Sequence, residues 1–355
     1  MKKITRQLLC CCLLPFCILV AGGDGQWRIV ATRNAIPNRG ECGMAAWEGK
    51  LYLVGGGALP TQVYNPAGAS WSEKAAPPQN INHFQAVAYD KRVYVLSALT
   101  AGPYPHQPNI ERPLIYDITT DKWSTGTPLP PERNRAAAGA AVYKGKLFLV
   151  AGIKEGHFTG TTGLFDQYDP VRGSWTPLPA APHIRDHCSA AVLGDKLYVA
   201  GGRNTSYHEP ENFMSFFKKT VLEVDCYDFK SGHWSTLASR LPLGSGGGAL
   251  VAMDGKLYYM GGERATETEP NQPRKDCFWL DPVHDTGWKT TSALNEARNG
   301  MSAAVINNAI YVFGGAGPKQ APLPDGPLQE ALEKGPPPKQ TAGGPSPLEM
   351  FTLHP

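Results

Sequence analysis

A short apolar strand ending in small residues recurs six times along this chain of 355 residues, at Leu51–Gly56, Val93–Ala98, Leu147–Gly152, Leu197–Gly202, Leu257–Gly262 and Ile310–Gly315. Five copies close on a Gly-Gly or Ala-Gly pair, and the second closes on Ser97-Ala98. A unit that returns this often cannot bury its apolar face alone and must pack against its own copies. Each copy follows a strand of small residues, such as Ala137–Val142 or Ser189–Val192, across a two-residue turn. The turns are Glu48-Gly49, Asp90-Lys91, Lys144-Gly145, Gly194-Asp195, Asp254-Gly255 and Asn307-Asn308. They are rich in the residues that accept the positive φ of tight hairpins.

A third strand then ends in a Tyr-Asp-Pro-like corner: Tyr64-Asn65-Pro66, Tyr116-Asp117, Tyr168-Asp169-Pro170, Tyr227-Asp228 and Leu280-Asp281-Pro282. Six or seven residues past each corner Asp or Asn stands a tryptophan: Trp71, Trp123, Trp175, Trp234 and Trp288. Four strands per unit with a small-residue inner strand describe the blade of a β-propeller. Inner strands crowd the axis, whereas bulky rings fill the space between diverging blades. The paired glycines, the Tyr-Asp corner and the spaced tryptophan resemble the kelch repeat, over essentially all of the chain past its leader. The resemblance implies an all-β, six-bladed propeller, similar to exported bacterial kelch proteins loosely grouped with galactose oxidase.

The two ends complete the count. The C-terminal stretch Leu353-His354-Pro355 falls where a corner belongs, so the last blade lacks a tryptophan strand, and Trp27–Val30 is a tryptophan strand without a blade. Pairing one with the other closes the ring and removes two exposed sheet edges.

Residues 1–23 carry Lys2, Lys3 and Arg6, an apolar run from Leu8 to Val20, then Ala21-Gly22-Gly23. That is the pattern of a secretory signal peptide, too short to span a membrane comfortably. The expectation is a secreted or periplasmic protein, residues 24–355 forming the propeller. Lipoprotein anchoring at Cys17 is the weaker alternative, because Phe16 stands where a small residue is wanted. Without the three leader cations the chain balances 31 basic against 31 acidic residues, which gives no global reason to expect nucleic acid. No stable membrane span is expected, and the chain is read as a monomer. Cys42, Cys188, Cys226 and Cys277 lie beyond the leader. Export permits disulfides with three pairings open, and free buried thiols are the plainer reading. The stretch 316–347, rich in Pro, Gly and Lys, reads as a disordered insertion in the last blade.

Strand direction selects the functional face. The connections after the glycine pairs are long, including Leu99–Arg112, Ile153–Gly163, Arg203–Thr220 and Glu263–Asp276, and they share one face with the start of every inner strand. Long loops on a rigid scaffold are where binding sites usually sit. Twelve residues before each second strand lies a lead-in position on that face, held by Arg39, Ile81, Arg135, Arg185, Ser245 and Arg298. Four arginines in six equivalent slots could ring the axis and hold carboxylate, sulfate or phosphate. The competing use is structural, each arginine pairing with a neighbouring blade's acid or carbonyl, the acids at hand being Asp166, Glu223, Asp225 and Glu263. Candidate ligand-binding residues are therefore Arg39, His83, Arg135, His157, Asp166, Arg185, Asp186, His187, Glu263 and Arg298, with Glu41 beside them.

No metal or cofactor is expected. His183 and His187 are four apart, but on a strand lead-in, where they would point inconsistently for one ion. No nucleophile motif or phosphate-binding glycine loop occurs past the leader. Two functions compete. One is a secreted binding or interaction protein that recognises an acidic carbohydrate or a partner loop on the long-loop face. The other is a carbohydrate-active enzyme, similar to galactose oxidase or to the six-bladed sialic acid epimerases. Galactose oxidase would need a copper site of two tyrosines and two histidines, a constellation with no assignable positions here.

Overall fold

A computed structural model describes residues 25–315, 326–327 and 347–353; the leader, Cys17 and nearly all of the insertion expected at 316–347 lie outside them. The described chain folds into six four-stranded antiparallel sheets. In order from the axis, blade 1 is Cys42–Trp47, Lys50–Gly55, Thr61–Asn65 and Ser70–Lys74. Blade 2 is Val87–Tyr89, Arg92–Val95, Leu114–Asp117 and Lys122–Thr125. Blade 3 is Gly139–Tyr143, Lys146–Val150, Phe165–Asp169 and Ser174–Leu178. Blade 4 is Asp186–Leu193, Lys196–Arg203, Asp225–Asp228 and His233–Thr236. Blade 5 is Ala249–Met253, Lys256–Met260, Cys277–Leu280 and Lys289–Thr290. Blade 6 combines Met301–Ile306, Ala309–Gly314 and Leu348–Leu353 with Gly25–Val30 from the other end of the chain.

That last pairing closes the ring. Trp27 stands opposite Phe351, as Trp175 stands opposite Tyr168 in blade 3. Phe351 therefore holds the corner-tyrosine register of blade 6, two residues earlier than the Leu353-His354-Pro355 assignment made from sequence. A phenylalanine replaces the expected tyrosine, which hid the register. The five cross-strand aromatic pairs place their rings 4.8–5.3 Å apart in a tilted geometry. Such pairs contribute beyond their buried area.

The core is not central. It divides into six apolar wedges, one between each pair of neighbouring blades. Alternation within a strand feeds both sides: Leu51 and Leu53 face blade 6, while Tyr52 and Val54 face blade 2. Tryptophan indoles stitch the outer rim, with Trp123, Trp175 and Trp234 donating to the carbonyls of Ala75, Thr127 and Pro179 on the preceding blade.

The inner hairpins use the left-handed backbone that their turn residues anticipated. Both turn residues have positive φ in five blades, and Gly194 alone does so in blade 4. The second residue of the glycine pair has a different task. Gly56, Gly152, Gly202, Gly262 and Gly315 each donate an N–H, at 2.8 Å, to the lead-in residue of the following blade. A Cβ on Gly152 would meet the Ala136 carbonyl at 2.6 Å, so this close approach excludes a side chain. Blade 2, which lacks the pair, is without this bond to Arg135 among the described residues.

Among the described residues, Cys42, Cys188, Cys226 and Cys277 are free and buried. No helix among the described residues is long and apolar enough to cross a membrane.

Candidate site at the propeller axis

The lead-in arginines do not present their guanidinium groups to the opening. Arg39, Arg135, Arg185 and Arg298 are at most 2% exposed. Each donates to the first carbonyl of its own blade's glycine pair: Gly55, Ala151, Gly201 and Gly314. Three also pair with an acid on the third strand of their own blade, not of a neighbouring blade as expected, Arg135 with Asp166, Arg185 with Asp225 and Arg298 with Glu349. In blade 1 the matching position is Gln62, and Arg39 turns to the Pro60 carbonyl at 2.8 Å. The blades without arginine carry no acid there: Ile81 is matched by Leu114, and Ser245 by Phe278. The expected ring of cations facing a ligand is thus corrected to a set of buried braces. The reason is satisfaction: Arg135 alone donates to four carbonyls and one carboxylate, so its fork has nothing left to offer. Asp166 belongs to that brace, together with Arg133, and not to the axial opening.

Two residues further on, the chain does reach the axis. Glu41, His83, Ala137, His187, Gly247 and Gly300 occupy equivalent positions in the six blades, all with φ between 50° and 67°. Their backbones form a closed circle of hydrogen bonds. Glu41 N donates to Gly300 O, His83 N to Glu41 O, Ala137 N to His83 O, His187 N to Ala137 O, Gly247 N to His187 O and Gly300 N to Gly247 O, at 2.7–3.0 Å. This girdle fixes each Cα and aims the side chains of Glu41, His83 and His187 into one place. The left-handed backbone at four residues other than glycine is held by the ring itself.

A polar layer sits on the loop side of the girdle. His157, from the loop after blade 3's glycine pair, meets His83 with their Nε2 atoms 3.1 Å apart. The rings of His83, His157 and His187 lie 4.6–5.2 Å from one another. Each Nδ1 faces an oxygen: Asn82 Oδ1 at 2.6 Å, Gln107 Oε1 at 3.2 Å and Asp186 Oδ1 at 2.6 Å. Asp186 is anchored in turn by the Thr161 hydroxyl and by the amide and hydroxyl of Thr205. Glu41 Oε1 is 3.8 Å from His83 Nε2. Burial keeps the imidazoles neutral, pulling His83 down to about 3 and His157 and His187 well below the usual histidine range, and nearby Arg203 acts in the same direction. Burial also pushes the Glu41 carboxyl up to about 7, against the attraction of Arg203.

Of the sequence candidates, His83, His157, Asp186 and His187 are brought together here, while the four arginines and Asp166 are not. His183 diverges from His187 and bonds Asp225 at 2.7 Å. Glu263 lies at the side of the layer, accepting from Arg203 at 2.7 Å and from Asn271 and Asn299. Arg203 escaped the sequence reading. A signal existed: Arg203 and Glu263 directly follow the glycine pairs of adjacent blades, equivalent positions with opposite charge.

The long loops close over this layer. Phe213, Met214, Phe216 and Phe217 of a short 3-10 helix, Phe213–Lys218, pack with Tyr104, Phe158 and Ala265 from neighbouring blades' loops. The Arg203 guanidinium lies under Phe216 and Phe217, 5.2 and 4.6 Å from their ring centres. Below, an axial cavity of about 60 Å³ is lined by Glu41, His83, Ala137 and His187 together with inner-strand residues. It is several-fold smaller than the roughly 300–1,000 Å³ of a small-molecule site. The loop apolarity was visible in Phe213-Met214-Ser215-Phe216-Phe217, but sequence does not say what such a segment covers.

The chain is similar to known kelch-repeat proteins. Residues 167–315 match the family described as the KLHDC2/KLHL20/DRC7 Kelch-repeats domain. The chain is 26% identical over 277 residues to Kelch-like protein terF of Aspergillus terreus, covering 77% of this chain and 57% of that one. It is 29% identical over 208 residues to alpha-scruin of Limulus polyphemus, covering 57% of this chain and 21% of that one. The chain thus spans less than two thirds of the length of these curated relatives. The solved structure of YjhT superposes with a TM-score of 0.66 over 80% of this chain and 92% of that one, at 16% identity, a likeness of fold alone.

Proposed function

This chain is a six-bladed kelch-repeat β-propeller, and from that premise we propose that it is an exported interaction protein whose loop-bearing face docks a protein partner. Kelch propellers typically serve as protein-interaction scaffolds. The observation that carries the reading is the closed cap: loops from blades 2 to 5 share an apolar cluster, and the cavity beneath is too small for a sugar ring. Recognition then falls to the outer surface of those loops, where Tyr207 and Lys219 lie against each other with the ammonium 4.2 Å from the ring centre. An anionic glycan would be met there by exposed side chains such as Lys154 and Lys219, or in an outer pocket of about 290 Å³ beside Lys218, Thr266 and Asn271, because the lead-in arginines are engaged within their blades. The export part of the reading rests on the leader at 1–23.

Cross-linking of the full chain, with partners and contact sites mapped by mass spectrometry, tests it. Contacts are expected on the loops around Tyr207 and Lys219 and are lost in Tyr207→Ala and Lys219→Glu, but kept in Val171→Ser on the opposite face. Contacts confined to the Val171 face would defeat the reading. So would saturable binding of a monosaccharide acid that survives both loop substitutions.

A further inference from the structure

We propose that His83, His157 and His187 form a binding site for a divalent transition-metal ion of the zinc class, bound through their Nε2 atoms, which ties the loop cap to the axial girdle. One ring nitrogen from each histidine lies within 4.8 Å of the others.

The argument is proton counting. A neutral imidazole has one N–H for two nitrogens. All three rings face an oxygen at Nδ1, in Asn82, Gln107 and Asp186, contacts that are hydrogen bonds when Nδ1 carries the proton. Their Nε2 atoms are then acceptors only. The Nε2 atoms of His83 and His157 then lie 3.1 Å apart with no proton between them, and the third, on His187, has no hydrogen-bond partner although the residue is only 5% exposed. A proton shared between His83 and His157 would relieve one contact and leave His187 unanswered. A metal ion answers all three.

The dimensions agree. Two nitrogens at about 2.0–2.1 Å from a tetrahedral zinc are roughly 3.3 Å apart, close to the His83–His157 separation. The three ring nitrogens lie within 4.8 Å of one another, and a bound ion would draw them in from that spacing. The outer contacts are those of built metal sites, where each ligating imidazole gives its other N–H to a carboxylate or carbonyl oxygen. Asp186 is itself fixed by Thr161 and Thr205. Three neutral nitrogen donors without thiolate select zinc, cobalt, nickel or copper over calcium and magnesium, which prefer oxygen. Three protein ligands leave a fourth position, which water fills, with the Glu41 carboxylate on the cavity side, 3.8 Å from His83 Nε2. Glu41 and His83 retain 25% and 14% of their side-chain exposure and line the axial cavity, which provides the route in.

The ligands come from three blades, His83 and His187 from equivalent girdle positions and His157 from a loop. No sequence spacing reveals them. A bound ion would therefore hold the loop Ile153–Gly163 against the girdle and, through Tyr104 beside His157, the aromatic cap above it.

Full-length protein stripped with a chelator is titrated with Zn²⁺ by calorimetry and with Co²⁺ by visible absorption. One equivalent is expected to bind, with tetrahedral cobalt bands, no sulfur-to-cobalt charge-transfer band, and a rise in melting temperature on adding Zn²⁺. His157→Gln, on a loop, leaves the apo fold intact and weakens binding at least about 100-fold. Asp186→Asn weakens it by roughly 10–100-fold, and His284→Ala on the outer surface leaves it unchanged. The proposal is overturned if the folded chain binds neither ion saturably. It is equally overturned if His157→Gln binds as the wild type does, or if cobalt reports thiolate ligation.

Discussion

Arg135 and Asp166 meet at 2.8 Å with side-chain exposures of 0% and 1%, and the corresponding pair in the next blade toward the N-terminus is Ile81 and Leu114. The same fold therefore accepts either a buried ion pair or two aliphatic side chains at one place. Asp166→Leu alone strands a buried guanidinium and is expected to cost about 3–5 kcal/mol. Arg135→Ile combined with Asp166→Leu should recover at least about 1 kcal/mol of that, because the copied pair satisfies itself by packing. Urea denaturation of the two single variants and the double variant measures the coupling. Strictly additive losses would show that the two positions act independently.

The glycine pair makes a paired prediction. Gly152 has φ of 112°, donates to Arg185 O at 2.8 Å and has no room for a Cβ. Gly152→Ala should lose about 2–3 kcal/mol through backbone strain and the displaced contact. Ala98, at the matching place in blade 2, has no positive φ, and Ala98→Gly should cost only about 0.5–1 kcal/mol. Equal losses would mean that the two blades approach their neighbours alike.

Acid stability should follow the corner aspartates. Asp117, Asp169, Asp228 and Asp281 each accept backbone N–H groups two and three residues on. Their pKa values lie below the ordinary range, chiefly through Thr120, Lys146, Ser231 and His284 respectively. A depressed folded value gives stability that is present above the unfolded pKa of about 3.9 and is lost as pH falls below it. Blade 1 makes the same turn with Asn65, which accepts from Ala67 N at 3.1 Å and does not titrate. Replacing all four aspartates by asparagine should flatten the acid limb. Denaturation midpoints at near-neutral pH and at about pH 3 read the effect, and parallel slopes would remove the corners from the account.

The thiols should be silent until the chain unfolds. Burial pushes Cys42 and Cys188 up to about 11, and raises Cys226 and Cys277 as well. The thiolate is the reactive form, so buried thiols with raised pKa values react slowly. Iodoacetamide should leave all four unlabelled in native protein and label all four in denaturant, as read by peptide mass spectrometry. Labelling of any one in the native state would place it nearer the surface than its packing allows.

Blade number, hairpin turns and ring closure were legible because they depend on local chemistry repeated at intervals. Two-residue turns declare their φ, and strands declare themselves by alternation. An orphan tryptophan strand needs a sheet whichever ring it belongs to. Even the lead-in arginines could be placed, and two of their acids, Asp166 and Asp225, were among those named, although Glu349 was not. The arginines' direction could not, because a guanidinium reaches either the axis or its own blade from the same Cα, and the choice is made by carbonyls exposed only when the blade has folded. The histidines belong to the same category. Ala137 and Gly247 share the girdle position with His83 and His187, so periodicity alone assigns it no chemistry. His157 arrives from a loop whose path depends on an apolar cap assembled from four blades. Contacts between residues far apart in the chain carry no period, and only the assembled ring brings those three nitrogens to one point.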